Sequence, residues 1–208
     1  MGEAWVGPVR VAWGPADGAR ADAERVGQLA RWEATPPARR AAFAAGRALL
    51  ARAIDAVAPG ADPRLTSRCA RCGGDHGAPR AAHAAAALSV SYARGLVVAA
   101  AAPARVGALG VDAERLADFP DPSALAALFA PAAPPDARGW TRIEAVLKAD
   151  GRGLRAGPER VRLTGPATAS PLPRAVRARV PGAPEAAHVT DIDAIPGYAV
   201  AIALTAPR

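Results

Sequence analysis

Two short stretches of this 208-residue chain carry residue types at spacings that could do chemistry. The first is Gly110-Val111-Asp112-Ala113-Glu114. Asp112 and Glu114 stand at i and i+2 in a stretch that reads as a strand, Val106–Ala113 and on to Glu114. Both therefore project from one face, about 6.6 Å apart along the chain. Gly107 and Gly110 just before them allow another backbone or a ligand to come close. Two carboxylates on one face repel unless a cation or water lies between them. Mg2+ suits such a pair, because it takes one or two carboxylates and completes its shell with water and phosphate oxygens. The same pair also fits a strand end bearing two solvated acids.

The second stretch places Glu144 and Lys148 at i and i+4 on a predicted helix, one turn apart on one face, with Trp140 a turn earlier. As a surface ion pair they would contribute about 0.3 kcal/mol. As functional groups, Glu144 is a metal ligand or base and Lys148 is a cation for a phosphate. Lys148 is the only lysine among 26 basic residues, the rest being arginine.

The elements that must position these groups follow from the pattern of apolar and breaking residues. Val9–Trp13 reads as a short opening strand and Asp22–Arg31 as a helix. Thr35-Pro36-Pro37 starts a long helix, with Thr35 as N-cap and proline in the first turn. That helix runs through Phe43, Leu49, Leu50, Ile54 and Val57 to a stop at Pro59-Gly60, with Arg39, Arg40, Arg47 and Arg52 along it. A polar loop, Ala61–Arg80, holds both cysteines. Leu88–Tyr92 alternates as a half-buried strand and forms a hairpin with Leu96–Ala102 across Ala93-Arg94-Gly95. A helix is expected over Pro122–Phe129. After a proline-rich break, Asp136 caps a helix through Trp140, Ile143, Leu147 and Lys148 that ends at Gly151. Strands are expected near Val161–Leu163, Ala175–Val180, His188–Ile192 and Tyr198–Leu204. The order suits two similar α+β halves meeting near Pro103–Val106.

Composition narrows the class without fixing it. Hydrophobic residues make up 51 % of the chain but aromatics only 4 %, so the core is expected to be Val, Leu, Ile and close-packed Ala. A net charge of +7 and a pI near 10.8 favour an acidic partner: nucleic acid, nucleotide phosphates or an acidic protein. No basic block of the kind that marks a nucleic-acid tail is present, and aromatics for base stacking are few. The first residues lack a signal-peptide pattern, the alanine-rich runs are too short and weakly apolar to span a bilayer, and two cysteines make no disulfide framework. A cytoplasmic protein with no membrane or nucleic-acid partner is expected. Cys69, Cys72 and His76 have zinc-like spacing, but a closed structural site needs four ligands. Zinc is not expected there, and a redox pair or two inert thiols remain alternatives.

Taken together, the two stretches resemble the signature of the surfactin-type 4′-phosphopantetheinyl transferases. That family shows Gly-Ile/Val-Asp-x-Glu and then Trp-x-x-x-Glu-Ala/Ser-x-x-Lys-x-x-Gly-x-Gly-Leu/Ile. Here the second element runs from Trp140 through Glu144, Lys148, Gly151 and Gly153 to Leu154, and 30 residues separate Glu114 from Glu144. The helix segment Arg40–Leu50, with Phe43, Gly46, Arg47, Leu49 and Leu50, is also similar to the family's. So is the loop from Cys69 and Cys72 through His76, Gly77 and Pro79, followed by Leu88–Ser91. The resemblance covers roughly Arg39–Leu204.

The resemblance implies an α+β monomer of two similar halves, residues 1–104 and 105–208, related by a pseudo-two-fold. Each half would carry a small, mostly antiparallel sheet with packed helices, and the active site would lie in the cleft between them. It implies transfer of the phosphopantetheine arm of coenzyme A to a serine of an acidic apo acyl or peptidyl carrier protein, in secondary-metabolite biosynthesis. Asp112, Glu114 and Glu144 would hold Mg2+, with Mn2+ as an alternative. Glu144 and Lys148 would be catalytic. Arg40, Arg47, Arg80, Ser91, Tyr92 and Lys148 would bind the coenzyme. Two positions depart from the family: Tyr92 stands where histidine is usual and Ala78 where lysine is usual, both on the coenzyme's phosphate grip. Arg47, Arg80 and Arg94 are candidates to compensate. The alternative reading is a transferase fold that binds coenzyme A or a related nucleotide without modifying a carrier.

Overall fold

A computed structural model of the chain describes residues 1–121 and 123–206. Over these residues the protein is a mixed α+β structure with antiparallel sheets and five α-helices. The chain divides into two compact units, Met1–Gly107 and Ala108–Ala206. Among the described residues no helix is long and apolar enough to cross a membrane.

The first unit opens on a hairpin, β1 (Gly2–Val6) and β2 (Val9–Gly14), where a single opening strand was expected from Val9. β1 has no fully buried position, and Trp5 on it is exposed, so its sequence carries no clear apolar alternation to read. The expected helix over Asp22–Arg31 is two short helices, α1 (Arg20–Arg25) and α2 (Leu29–Ala34). Gly27 between them takes φ of +71°, which ends the first turn series. Then α3 (Pro37–Val57) forms the long helix, although Thr35 does not cap it. The Thr35 hydroxyl instead donates to the Arg31 carbonyl at 2.8 Å and so closes α2; Pro36 occupies the N-cap position.

A minor ribbon, β3 (Leu65–Thr66) with β4 (Arg80–Ala81), closes the polar loop. β5 (Ala86–Ala93) and β6 (Leu96–Pro103) then complete a four-stranded sheet of order β1-β2-β6-β5. α3 lies across it, packing Ala45, Leu49, Leu50 and Ile54 against Ala12, Val97 and Ala99. Leu96 through Ala102 are all buried, so alanine does much of the filling. Small side chains there let helix and sheet backbones sit close at interior packing density.

The first unit ends in a 3-10 turn at Ala104–Val106 and Gly107 at φ of +110°, and the second opens on β7 (Leu109–Arg115). The strand thus starts three residues later than expected. After α4 (Ser123–Phe129), whose expected first residue Pro122 lies outside the described residues, comes α5 (Ala137–Asp150). The Asp136 carboxylate accepts from the Gly139 amide at 2.7 Å, and Gly151 ends the helix at φ of +84°. β8 (Arg162–Pro166), β9 (Val176–Arg179), β10 (Ala187–Asp191) and β11 (Tyr198–Leu204) complete a five-stranded antiparallel sheet of order β7-β11-β10-β9-β8.

α5 packs on β7, β11 and β10 through Ala145, Val146 and Ala149. The approach is closest at Gly110: a methyl group built there would lie 1.9 Å from the Ala145 carbonyl oxygen and 2.7 Å from the Ala149 amide nitrogen. No side chain fits, and the atoms in the way are backbone. Gly110→Val is therefore expected to destabilise the protein by about 3 kcal/mol or more, the upper end for overpacking a core. A urea titration followed by circular dichroism checks this, and an unchanged midpoint would mean that β7 and α5 are not held at this distance.

Candidate functional site

The close approach at Gly110 decides what faces α5. Gly110, Asp112 and Glu114 share one face of β7, opposite Ala203, Ala201 and Ala199 of β11. Alanine at these partner positions leaves room for polar side chains beside the helix. Because β7 and α5 run in opposite directions, Glu114 lies toward Trp140 and Asp112 toward Lys148.

Lys148 Nζ donates to Asp112 Oδ1 at 2.7 Å and to the Val111 carbonyl at 3.0 Å. Asp112 is 3 % exposed, so this is a buried carboxylate held by a half-buried ammonium. The Trp140 indole lies near enough to Glu114 to favour its charged form. Glu144 sits between these contacts on the same stripe of α5 and is half-buried. Burial pushes the Glu114 carboxyl above the ordinary glutamate value, and the negative charges of Asp112 and Glu144 push it further; Lys148 and Trp140 oppose. Glu144 is likewise raised, first by burial and then by Asp112, with Lys148 opposing. The structure thus brings together all four residues expected to carry the chemistry of this half.

Burial and like charge raise the proton affinity of Glu114 and Glu144, and carboxylate oxygens are the donors a hard divalent cation such as Mg2+ takes, although among the described residues only Cys69, Cys72 and His76 bring three ligand atoms within 4.8 Å of one another. Asp112 is already engaged by Lys148, so a cation would compete with Lys148 for it. Trp140 was noted on the stripe but not as a partner of Glu114; its i, i+4 position ahead of Glu144 was the available signal.

The first unit holds the other expected group. Arg47, expected along α3 as a coenzyme contact, is only 2 % exposed. Its guanidinium stacks over the Phe43 ring at 3.9 Å and donates to the Tyr92 hydroxyl at 2.9 Å. Arg47 Nε has no hydrogen-bond partner among the described residues. Desolvation holds Arg47 below the ordinary arginine value; Tyr92 and Asp75 pull it up, and Arg31 pushes it down. Tyr92 itself is 44 % exposed over the whole residue, yet its hydroxyl end is tucked against α3. Burial of that end raises its phenol, and Arg47 draws it back down. A methyl group at Gly46 would lie 2.6 Å from the Tyr92 hydroxyl oxygen, so glycine at that helical position makes the contact possible.

The remaining expected residues are placed differently. Ser91 is buried on β5, on the face opposite Tyr92. Arg80 is exposed on β4, paired in register with Thr66. Arg40 is committed to the α2–α3 junction: it donates to the Thr35 and Glu33 carbonyls at 2.9 and 2.7 Å and lies over Trp32 at 4.9 Å. Arg94 is exposed in the β5–β6 turn. Arg31 was missed, being read as the end of one helix; it lies over Phe43 at 5.8 Å and donates to the Gly77 carbonyl at 3.1 Å.

No protein-family model matches the chain, and no curated protein matches its sequence.

The raised carboxyls have a consequence for stability. Because Glu144 binds its proton more tightly folded than unfolded, stability falls as pH rises from about the ordinary value of 4.5 through the raised one. Glu144→Gln removes that unfavourable charge. In EDTA it is expected to unfold at higher urea than wild type at about pH 7, the two midpoints converging below about pH 4.5. Equal midpoints at neutral pH would show that the carboxylate is not strained by its neighbours.

Proposed function

We propose that the protein is a magnesium-dependent 4′-phosphopantetheinyl transferase acting on apo acyl or peptidyl carrier proteins. The observation that carries the reading is the facing of Asp112 and Glu114 on β7 with Glu144 and Lys148 on α5. In each unit a long helix crosses an antiparallel sheet, which supports taking the two as similar halves.

In this reading Asp112, Glu114 and Glu144 hold Mg2+, which supplies charge neutralisation at the pyrophosphate of coenzyme A when bound. Glu144, or a water it orients, takes the proton of the carrier serine. The serine oxygen then bonds to the phosphorus carrying the pantetheine arm, the pyrophosphate P–O bond breaks, and adenosine 3′,5′-bisphosphate leaves. Lys148 exchanges Asp112 for an oxygen of the phosphate under attack, so its charge follows the charge that develops there.

Arg47 serves the coenzyme's 3′-phosphate. It is a buried cation whose Nε is without a hydrogen-bond partner among the described residues, beside a phenol that can donate. The positive net charge speeds encounter with an acidic carrier.

The direct test is the intact mass of an apo carrier protein incubated with this protein, coenzyme A and Mg2+. The carrier should gain one phosphopantetheine, and the gain should vanish with EDTA or with Glu144→Gln. No gain across several carriers, with coenzyme A still bound, would replace the transferase reading with coenzyme binding alone.

Selectivity gives a second prediction. Tyr92 cannot supply charge, so Tyr92→His should raise the preference for coenzyme A over 3′-dephospho-coenzyme A about 10-fold, the worth of one charge-assisted hydrogen bond. Competition kinetics with both substrates reads it; an unchanged ratio would place the 3′-phosphate away from Tyr92.

A further inference from the structure

Neither cluster above uses the polar loop between β3 and β4. In it, Cys69, Cys72 and His76 bring one ligand atom each within 4.8 Å of the others, with Cys72 Sγ 3.0 Å from His76 Nε2. Both cysteines are thiols. The backbone is folded to make this happen. Cys69 N–H donates to the Gly74 carbonyl at 2.8 Å, and Gly73, at φ of +73°, donates back to the Cys69 carbonyl at 2.9 Å. Gly77 N–H donates to the Ser67 carbonyl at 2.6 Å, and a methyl group at Gly77 would lie 2.4 Å from the Arg68 carbonyl oxygen. The base of the loop is anchored below the surface: the buried Ser67 hydroxyl donates to Gln28 Oε1 at 3.0 Å, and Gln28 Nε2 donates to the Leu65 carbonyl at 3.1 Å. The tip is different. Ala70, Arg71, Cys72, Gly73, Asp75 and His76 are all exposed, so burial does not fix their arrangement.

We propose that Cys69, Cys72 and His76 bind a thiolate-preferring divalent cation of the zinc class, with the fourth tetrahedral position left to water or an incoming ligand. Spacing alone had left zinc, a redox pair and inert thiols open, with zinc disfavoured for want of a fourth ligand. The geometry changes the balance because an imidazole nitrogen joins the two sulfurs at one point. A disulfide pair has no need of it. Binding releases the thiol protons, and the soft donors discriminate against Mg2+.

The site has a defined reach. The Gly77 carbonyl just past His76 accepts from Arg31, which lies over Phe43. The charge of Asp75, one residue before His76, is felt at Arg47. A metal that holds this loop would also hold the Gly77 carbonyl to which Arg31 donates, and Arg31 shares the Phe43 ring with Arg47.

The test is a Co2+ titration of the reduced full-length protein, which does not depend on transferase activity. Expected are an intense near-ultraviolet thiolate-to-cobalt band and visible bands of tetrahedral intensity, saturating at one equivalent and displaced by Zn2+. Cys72→Ser and Cys69→Ser should each abolish the tetrahedral spectrum, while His83→Gln, beyond β4, should leave it intact. Only the weak visible bands of octahedral cobalt would overturn the proposal, since carboxylates alone give those. So would a Cys69–Cys72 disulfide that reforms in preference to metal uptake. Because wild-type spectra decide the matter, a variant that fails to fold does not blunt the test.

Discussion

The contact on which the second unit depends is backbone against backbone, where β7 meets α5 at Gly110. Helices usually stand off a sheet by the depth of a side-chain layer, about 10 Å between axes. At Gly110 that layer is missing, and the Ala145 carbonyl and Ala149 amide occupy the space. The polar groups two and four residues on inherit the short separation. Asp112 can then be reached by the ammonium of Lys148 without leaving the interior, and the Trp140 indole can reach Glu114. The same closeness drives the carboxyls of Glu114 and Glu144 upward, since it removes water and sets like charges side by side. Packing and electrostatics are thus one constraint seen twice: a larger residue at Gly110 would relieve the charge strain only by dismantling the contact.

The first unit uses a similar device with the opposite sign of charge. Gly46 lets the Tyr92 hydroxyl come down onto α3, where it meets Arg47. Burying a guanidinium is costly unless its donors are satisfied and its faces covered. Phe43 covers one face and Tyr92 takes one N–H, while Nε is left over. Histidine in place of Tyr92 would add positive charge beside Arg47, which Arg31 already pushes down. A tyrosine avoids that repulsion in the free protein and gives up electrostatic grip on an anion. On the proposed reading, tyrosine at position 92 trades affinity for an anionic ligand against stability without it.

Much of the second unit was legible because its logic is local. The i, i+2 placement of Asp112 and Glu114, the i, i+4 placement of Glu144 and Lys148, the Asp136 cap and the Gly151 stop are all fixed within one or two turns of chain. The limits of Tyr198–Leu204 were equally plain, as an apolar run ending at a proline-flanked tail. What escaped depended on distant partners. β1 has meaning only once β2 pairs with it, and Thr35 was lost as a cap because the Arg31 carbonyl competed for its hydroxyl. The burial of Arg47 was not readable from its helix alone, since it needs Phe43 one turn earlier and Tyr92 forty-five residues later. Gly27 was the readable sign that α1 and α2 are two helices, and its weight was underestimated.

Two proposed sets of metal donors in one chain raise the question of how each would keep its own ion. First-row divalent metals bind almost any mixed site in the same rising order, so affinity alone does not sort them. Donor chemistry does. On the proposed readings, Asp112, Glu114 and Glu144 offer only hard oxygen, partly blocked by Lys148, and they suit an ion that tolerates water and phosphate as its other ligands. Cys69, Cys72 and His76 offer sulfur and nitrogen on a loop folded in advance, which suits an ion that need not leave. A thiolate site of this kind takes up the stronger-binding metals first and leaves the carboxylates to the abundant, weakly held one. The sorting follows from which atoms face each ion, and it requires the thiols to stay reduced. Oxidation of Cys69 and Cys72 would expel the soft metal and loosen the loop that carries Asp75 and Gly77, while the oxygen site, made of groups that do not oxidise, would keep its donor set unchanged.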